Sequence, residues 1–321
     1  MRTPAGFFLQ SMKFTKPPLS IDEQIDLLVR RGMAVPDRSR AERYLRHINY
    51  YRLRIYWIPF EKPSEGNDHL FNDGVTFDDV LYLYVFDRKL RLLILEAVER
   101  FEISFRSRIV NHLATTYGSD AYHMREVFRH PPKYSECLAK LEKSLVDSRE
   151  TFIAHYRETY SEPSFPPIWS AFEILTFGEL ALWFEHIGSR QDRKKIAEAY
   201  ALDEKVLNSF AHHLSHVRNI CAHHGRLWNK HLTIVMKQPS HPSTLSESMN
   251  MDDDARAKIY NTLTVLAHLM RIISPSTTWP DRIAALIKGF ERVNLHDMGF
   301  PRNWKDTPIW FPEPSPQDRL P

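Results

Sequence analysis

The chain has 321 residues, enough for one large unit with appendages, and 43 Lys and Arg against 40 Asp and Glu leave a net charge of +3. So small an excess excludes a global attractive field for nucleic acid, and any such affinity has to come from local basic patches. Two cysteines, Cys137 and Cys221, far apart and outside CxxC spacing, argue against a disulfide scaffold and a thiolate zinc site and suit a reducing cytoplasm.

The opening MRTPAGFFLQSMKF holds an apolar run too short for a signal peptide, and no later stretch reaches 18 uninterrupted apolar residues. An unexported protein without membrane association is expected, with residues 1–12 disordered and Met12 readable as an alternative start. Glycine is scarce, 10 of 321, and the long segments repeat every three to four residues, so the predicted fold is all-α. Residues 13–60 form an N-terminal helical region. Ser20 caps a first helix as a capping box with Glu23, and Gly32 stops it. DRSRAERYLRHINYYRLRIYW reads as one second helix. The turn-rich stretch 61–74 is a loop.

A helical core is predicted over 76–273. Its longest segment, Thr76 to about Tyr117, buries Val98, Phe101, Phe105, Ile109 and Leu113. A mixed helical region over 132–160 follows, then a helix WSAFEILTFGELALWFEHIG opened by Pro166 and Pro167. Two more are expected from Asp203 to His224 and from Asp252 to about Ile273. The Pro- and Trp-rich tail, 274–321, reads as irregular chain packed on the body through its aromatics.

The helix from Asp203 carries HLSHVRNICAHHGRLWN, residues 213–229. On a helical wheel Phe210, Leu214, Val217 and Cys221 form one apolar stripe, and His212, His216, Asn219 and His223 a polar one. Gly225 is the expected residue just past the helix end. The i, i+4 pair His212 and His216 has metal-ligand spacing, yet no Asp or Glu lies between Asn208 and Asn229 to complete a site, so no metal and no cofactor is assigned. The other chemistry is metal-free RNA cleavage. RNA supplies its own 2′-hydroxyl nucleophile, a histidine can move the protons near neutral pH, and an arginine can clamp the phosphate. Arg218 and His223 are five residues apart, about 140° around the helix, which favours a site completed by a second copy of the motif across a two-fold axis.

The string from Arg218 to His223 resembles the R-N-x-x-x-H form of the HEPN ribonuclease motif. VRNICAHHGRLWN, together with KPPLSIDEQIDLLVRRG, HINYYRLRIYW, FDRKLRLLILEAVERFEISFRSRIVNHLATTYG and PPIWSAFEILTFGELA, resembles the bacterial Abi family of abortive-infection proteins over residues 13 to about 230. The resemblance implies a HEPN-like helical bundle, a part in phage defence, and RNA as substrate, with Arg218 and His223 as the catalytic pair and Asn219 orienting them. It also leaves open a non-catalytic RNA-binding protein governed by, or sequestering, a small non-coding RNA.

Plainer roles stand beside these. His212, His213 and His216 suit interhelical or solvent-facing hydrogen bonds, and His223 suits a cap on its own helix. Trp228 suits a packing anchor. His224 and Arg226, just past the helix, are candidate RNA contacts, as are Arg46, Tyr50, Arg52 and Arg54 in a run that mixes cations with aromatics. Arg106 and His112 form a second R-x5-H and a candidate second site, although Glu102 is placed to pair with Arg106. A third reading is a helical protein of another class with a histidine-lined metal site.

Overall fold

The computed structural model describes residues 17–63 and 69–311; the expected disorder of 1–12 lies outside them. The described residues form fourteen α-helices with short 3₁₀ turns and only isolated β-bridges, an all-α fold. No helix among them is long and apolar enough to cross a membrane. The chain divides into two compact units, 1–85 and 86–321.

In the first unit α1, Ile21–Arg30, begins at the Ser20–Glu23 capping box and ends at Gly32, whose φ of 94° only glycine adopts freely. The predicted single second helix is two: α2, Arg38–His47, and α3, Tyr50–Trp57. The break falls at Asn49, whose side chain accepts from the Tyr51 amide and so offers the backbone a new helix start. Leu53, Tyr56 and Trp57 are buried, Trp57 edge-on to Phe71.

Helix α4, Phe77–Tyr117, starts at a reciprocal Thr76–Asp79 cap and enters the second unit at Phe86. The predicted stripe Val98, Phe101, Phe105, Ile109 and Leu113 is fully buried. Next come α5, Pro131–Asp147, and α6, Thr151–Thr159. The helix expected after Pro167 is also broken, into α7, Ile168–Ala171, a 3₁₀ turn, and α8, Phe177–His186, because Thr176 and Glu179 form a capping box that starts the chain afresh. Then follow α9, Arg190–Glu198, and α10, Glu204–Ala222. α10 packs on α8 and α9, and Phe210 meets Phe101 of α4 at 5.8 Å between ring centres.

Short helices α11, Ser243–Ser246, and α12, Asp253–Arg256, precede α13, Ile259–Ile273, so the helix expected from Asp252 is divided as well. The tail is more regular than its composition suggests. α14, Trp279–Lys288, opens on Pro280, and Trp279 Nε1 donates to the Leu93 carbonyl of α4 at 2.7 Å. The aromatic packing is as expected: Trp279, Trp304 and Trp310 are buried, with Trp304 edge-on to both Phe300 and Trp310.

Candidate functional site

Along α10 the structure separates a buried apolar stripe from a polar one, as the wheel predicts. Phe210, Leu214, Val217 and Cys221 are all at most 1 % exposed, while Asn219 and His223 are exposed. His213 is the exception on its polar stretch. It is buried, its Nδ1 donates to the Ile234 carbonyl at 2.6 Å, and its Nε2 accepts from Thr262 of α13 at 2.7 Å. Burial pushes its pKa down to about 4, so the neutral ring is a structural strut. His212 Nε2 lies 2.7 Å from Glu185 of α8, the carboxylate that the local sequence lacks, whereas His216 sits 3.4 Å from Thr233. The two histidines with metal-ligand spacing thus face different partners, and among the described residues no group of three His, Cys, Asp or Glu is placed to hold a metal ion.

The helix ends one residue earlier than the glycine suggests. His223 is the C-cap, and it is His224, not Gly225, that takes the left-handed conformation, at φ 59°. The His224 amide bonds to the Cys221 carbonyl at 3.0 Å and the Gly225 amide to the Ile220 carbonyl at 2.7 Å, the two bonds of a Schellman motif. Gly225 is needed for closeness: a Cβ there would lie 3.1 Å from Ile220 Cγ2 and 3.3 Å from its carbonyl oxygen. A histidine at the left-handed position is strained by the order of 1–2 kcal/mol.

Past the cap the chain is held from inside. Asp87 of α4, 0 % exposed, accepts the Leu227 and Trp228 amides through one oxygen, at 2.8 Å each, and Arg91 Nε through the other, at 3.1 Å. Leu227 and Trp228 are buried, so Trp228 is the packing anchor expected. Asp87 escaped the sequence reading although a signal was there: it shares a helix stripe with Leu83, Leu90 and Ile94, all buried, where a carboxylate needs a reason.

At the C-terminal end of α10, Arg218 Nη1 donates to Asn219 Oδ1 at 3.3 Å. The His223 ring is exposed and no described residue hydrogen-bonds it. No hydrogen bond joins Arg218 to His223 within the chain. His224 and Arg226 each have interactions within the fold.

The second R-x5-H is not assembled as a pair. Arg106 donates to Glu102 at 3.1 Å and to the Leu175 carbonyl at 2.8 Å, tying α4 to the turn before α8. His112 meets Asp192 of α9 at 3.0 Å, and Tyr117 donates to the other Asp192 oxygen at 2.6 Å. Each side chain has its own structural carboxylate. Arg106 also lies about 28 Å along α4 from Asp87, which marks the end where the motif sits.

In the first unit the cation–aromatic run is partly engaged. Arg46 pairs with Glu42, and Tyr50 stacks edge-on to Trp57 and accepts from Arg31 at 3.2 Å. Arg54 reaches His69 at 3.3 Å, and Arg52 is engaged as well. Tyr50, Arg54 and Arg31 line a cavity of about 550 Å³.

Residues 43–229, more than half of the chain, match the family described as Abi-like protein, and the match ends on Asn229, the last residue of the string that begins at His213. No curated protein and no solved structure matches the chain.

Proposed function

The chain belongs to the Abi-like family, that of abortive infection in phage defence, and we propose that it acts there as a metal-independent endoribonuclease whose site is composed by two copies of α10. The observation that carries this reading is the exposed end of α10. Arg218, hydrogen-bonded to Asn219 in the last turns of α10, and His223 at its C-cap stand about 140° apart around one helix. One copy therefore presents half of an acid, base and clamp set, and a two-fold pairing supplies two of each.

In the reaction His223 takes the proton of the 2′-hydroxyl, the 2′-oxygen attacks the adjacent phosphorus, and the bond from phosphorus to the 5′-oxygen breaks. The same histidine of a second copy protonates the departing 5′-oxygen, leaving a 2′,3′-cyclic phosphate and a 5′-hydroxyl. The arginines neutralise charge on the pentavalent phosphorus, an electrostatic role of the oxyanion-hole type.

The test is incubation of purified protein with mixed RNAs in EDTA, with His223→Ala and Arg218→Ala alongside. Both variants are expected to lose cleavage by a factor of about 100 or more. Cleavage that persists in both would remove the assignment. Binding without cleavage by the wild type would favour a non-catalytic grip on RNA, such as a small regulatory RNA. Sedimentation of the intact protein tests the two-fold pairing.

A further inference from the structure

A second cavity, of about 530 Å³, opens beside the N-terminal half of α10, away from the Arg218–His223 end. Its lining is cationic: Arg129, Arg190 and Arg193, with Lys205 and Lys237. Of these only Arg190 has a carboxylate, Glu204 at 2.6 Å. Arg193 spends its donors on the carbonyls of Ile187 and Gly188, and Arg129 Nε donates to the Glu185 carbonyl, so neither is in a salt bridge with a described residue. Among the described residues Lys205 and Lys237 have no ion-pair partner. Burial, and after it the neighbouring Arg129, lower the Arg193 pKa from its ordinary value, against the opposing pull of Glu204 and Asp192.

Two acceptors in the same cavity have no partner. Glu204 is 2 % exposed, with Oε1 on Arg190 and Oε2 unbonded, and Asn208 Oδ1 is likewise buried and unbonded. Cations beside unpaired acceptors fit a ligand with phosphates and hydroxyls, as a ribose-phosphate chain has. The geometry of α10 sets its direction. Lys205, Asn208, His212, Asn219 and His223 fall within about 60° of one another on the wheel, so the cavity and the motif histidine share one helix face. From His212 to His223 the axis advances about 16 Å, a few nucleotides of extended strand. The segment 233–237 runs along this face, with the Lys237 amide on Ser209 Oγ at 2.9 Å and Thr233 against His216, and forms one wall of the path.

We propose that this cavity binds the sugar-phosphate backbone of single-stranded RNA and holds the strand along the polar face of α10, so that its grip sets which phosphate reaches His223. This rests on the reading of RNA as substrate.

The test uses the full-length His223→Ala protein, which leaves the strand intact, with and without Lys205→Gln and Lys237→Gln. Binding of a labelled octaribonucleotide is followed by anisotropy across a salt series. Removing the two lysines is expected to weaken binding at least tenfold and to make the slope of log affinity against log salt shallower by about 1.4, two single-strand contacts at about 0.7 each. The matching deoxyoctamer is expected to bind less tightly, because Glu204 and Asn208 lose the 2′-hydroxyls. Unchanged affinity and slope in the lysine variants would overturn the inference, as would no RNA binding by either protein. Competition by inorganic phosphate or a mononucleotide as effective as that by the octamer would overturn it in favour of a small-anion site. Wild-type cleavage in EDTA alongside unchanged binding in the lysine variants would overturn this inference alone and leave the nuclease reading intact.

Discussion

Replacing Asp87 with alanine removes the buried group that holds the chain just beyond α10. The loss leaves two amides, of Leu227 and Trp228, without the acceptor they meet at 2.8 Å, and strands the Arg91 guanidinium, whose side chain is 7 % exposed. Breaking a buried pair by deleting one partner costs about 3–5 kcal/mol, and orphaned buried donors push toward the upper end. For a unit of this size each kcal/mol lowers Tm by about 2–4 °C, so Asp87→Ala is expected to melt roughly 6–20 °C below wild type. Asp87→Asn keeps an oxygen for the two amides but loses the charge and sets an amide nitrogen where Arg91 Nε needs an acceptor, and about half that drop is expected. Arg91→Met added to Asp87→Ala removes the unpaired cation and recovers part of the loss but not all of it, since the amides stay orphaned. Thermal and urea melts of the four proteins measure this directly. A loss below about 1 kcal/mol in Asp87→Ala, or a double variant no more stable than the single one, would show that the turn is held by something other than this carboxylate.

Acid stability carries a second signature. The folded pKa of His213 lies at about 4 against an ordinary 6.5, so its contribution is complete above pH 6.5 and lost as pH falls toward 4, by up to ~3 kcal/mol. Urea melts over that window are expected to show a flatter pH dependence for His213→Gln; identical slopes would contradict the neutral strut. At the left-handed cap, His224→Gly is expected to hold or raise Tm while His224→Val lowers stability by about 1–2 kcal/mol, and equal tolerance of the two would remove the strain argument. Trp279→Phe, which deletes the donor to the Leu93 carbonyl in a fully buried site, is expected to lose about 1–3 kcal/mol by urea melt. A neutral result would mean that α14 is not pinned there.

Periodicity identifies which faces are buried, and there the structure follows the sequence. The α10 stripes and the buried face of α4 depend only on spacing, and the Ser20–Glu23 cap and Gly32 are local devices. The errors share a cause. Helical periodicity runs on through Asn49 and through Thr176–Glu179, yet both carry capping chemistry that restarts a helix. In the tail, the proline that suggested irregularity opens α14, and Ile283, Leu286 and Ile287 were already at helical spacing. The site was legible only in part. Arg218, Asn219 and His223 stand in one string, but Glu185 on His212, Thr262 on His213 and Asp87 on the following turn come from helices far away in sequence. The basic cavity needs α9, α10 and the chain at Lys237 together, and nothing local announces it.

The Schellman cap on one side and the Asp87 clasp on the other leave the intervening segment, His223 to Arg226, with little freedom to surrender. Ordering a flexible residue on complex formation costs about 1–2 kcal/mol in conformational entropy, so a mobile loop of this length would give up several kcal/mol before gaining from any contact. Here that loss is already taken at folding. Association at the His223 end is therefore expected to proceed as docking of a preformed surface, with the modest heat-capacity change of rigid partners and without the large one that marks folding coupled to binding.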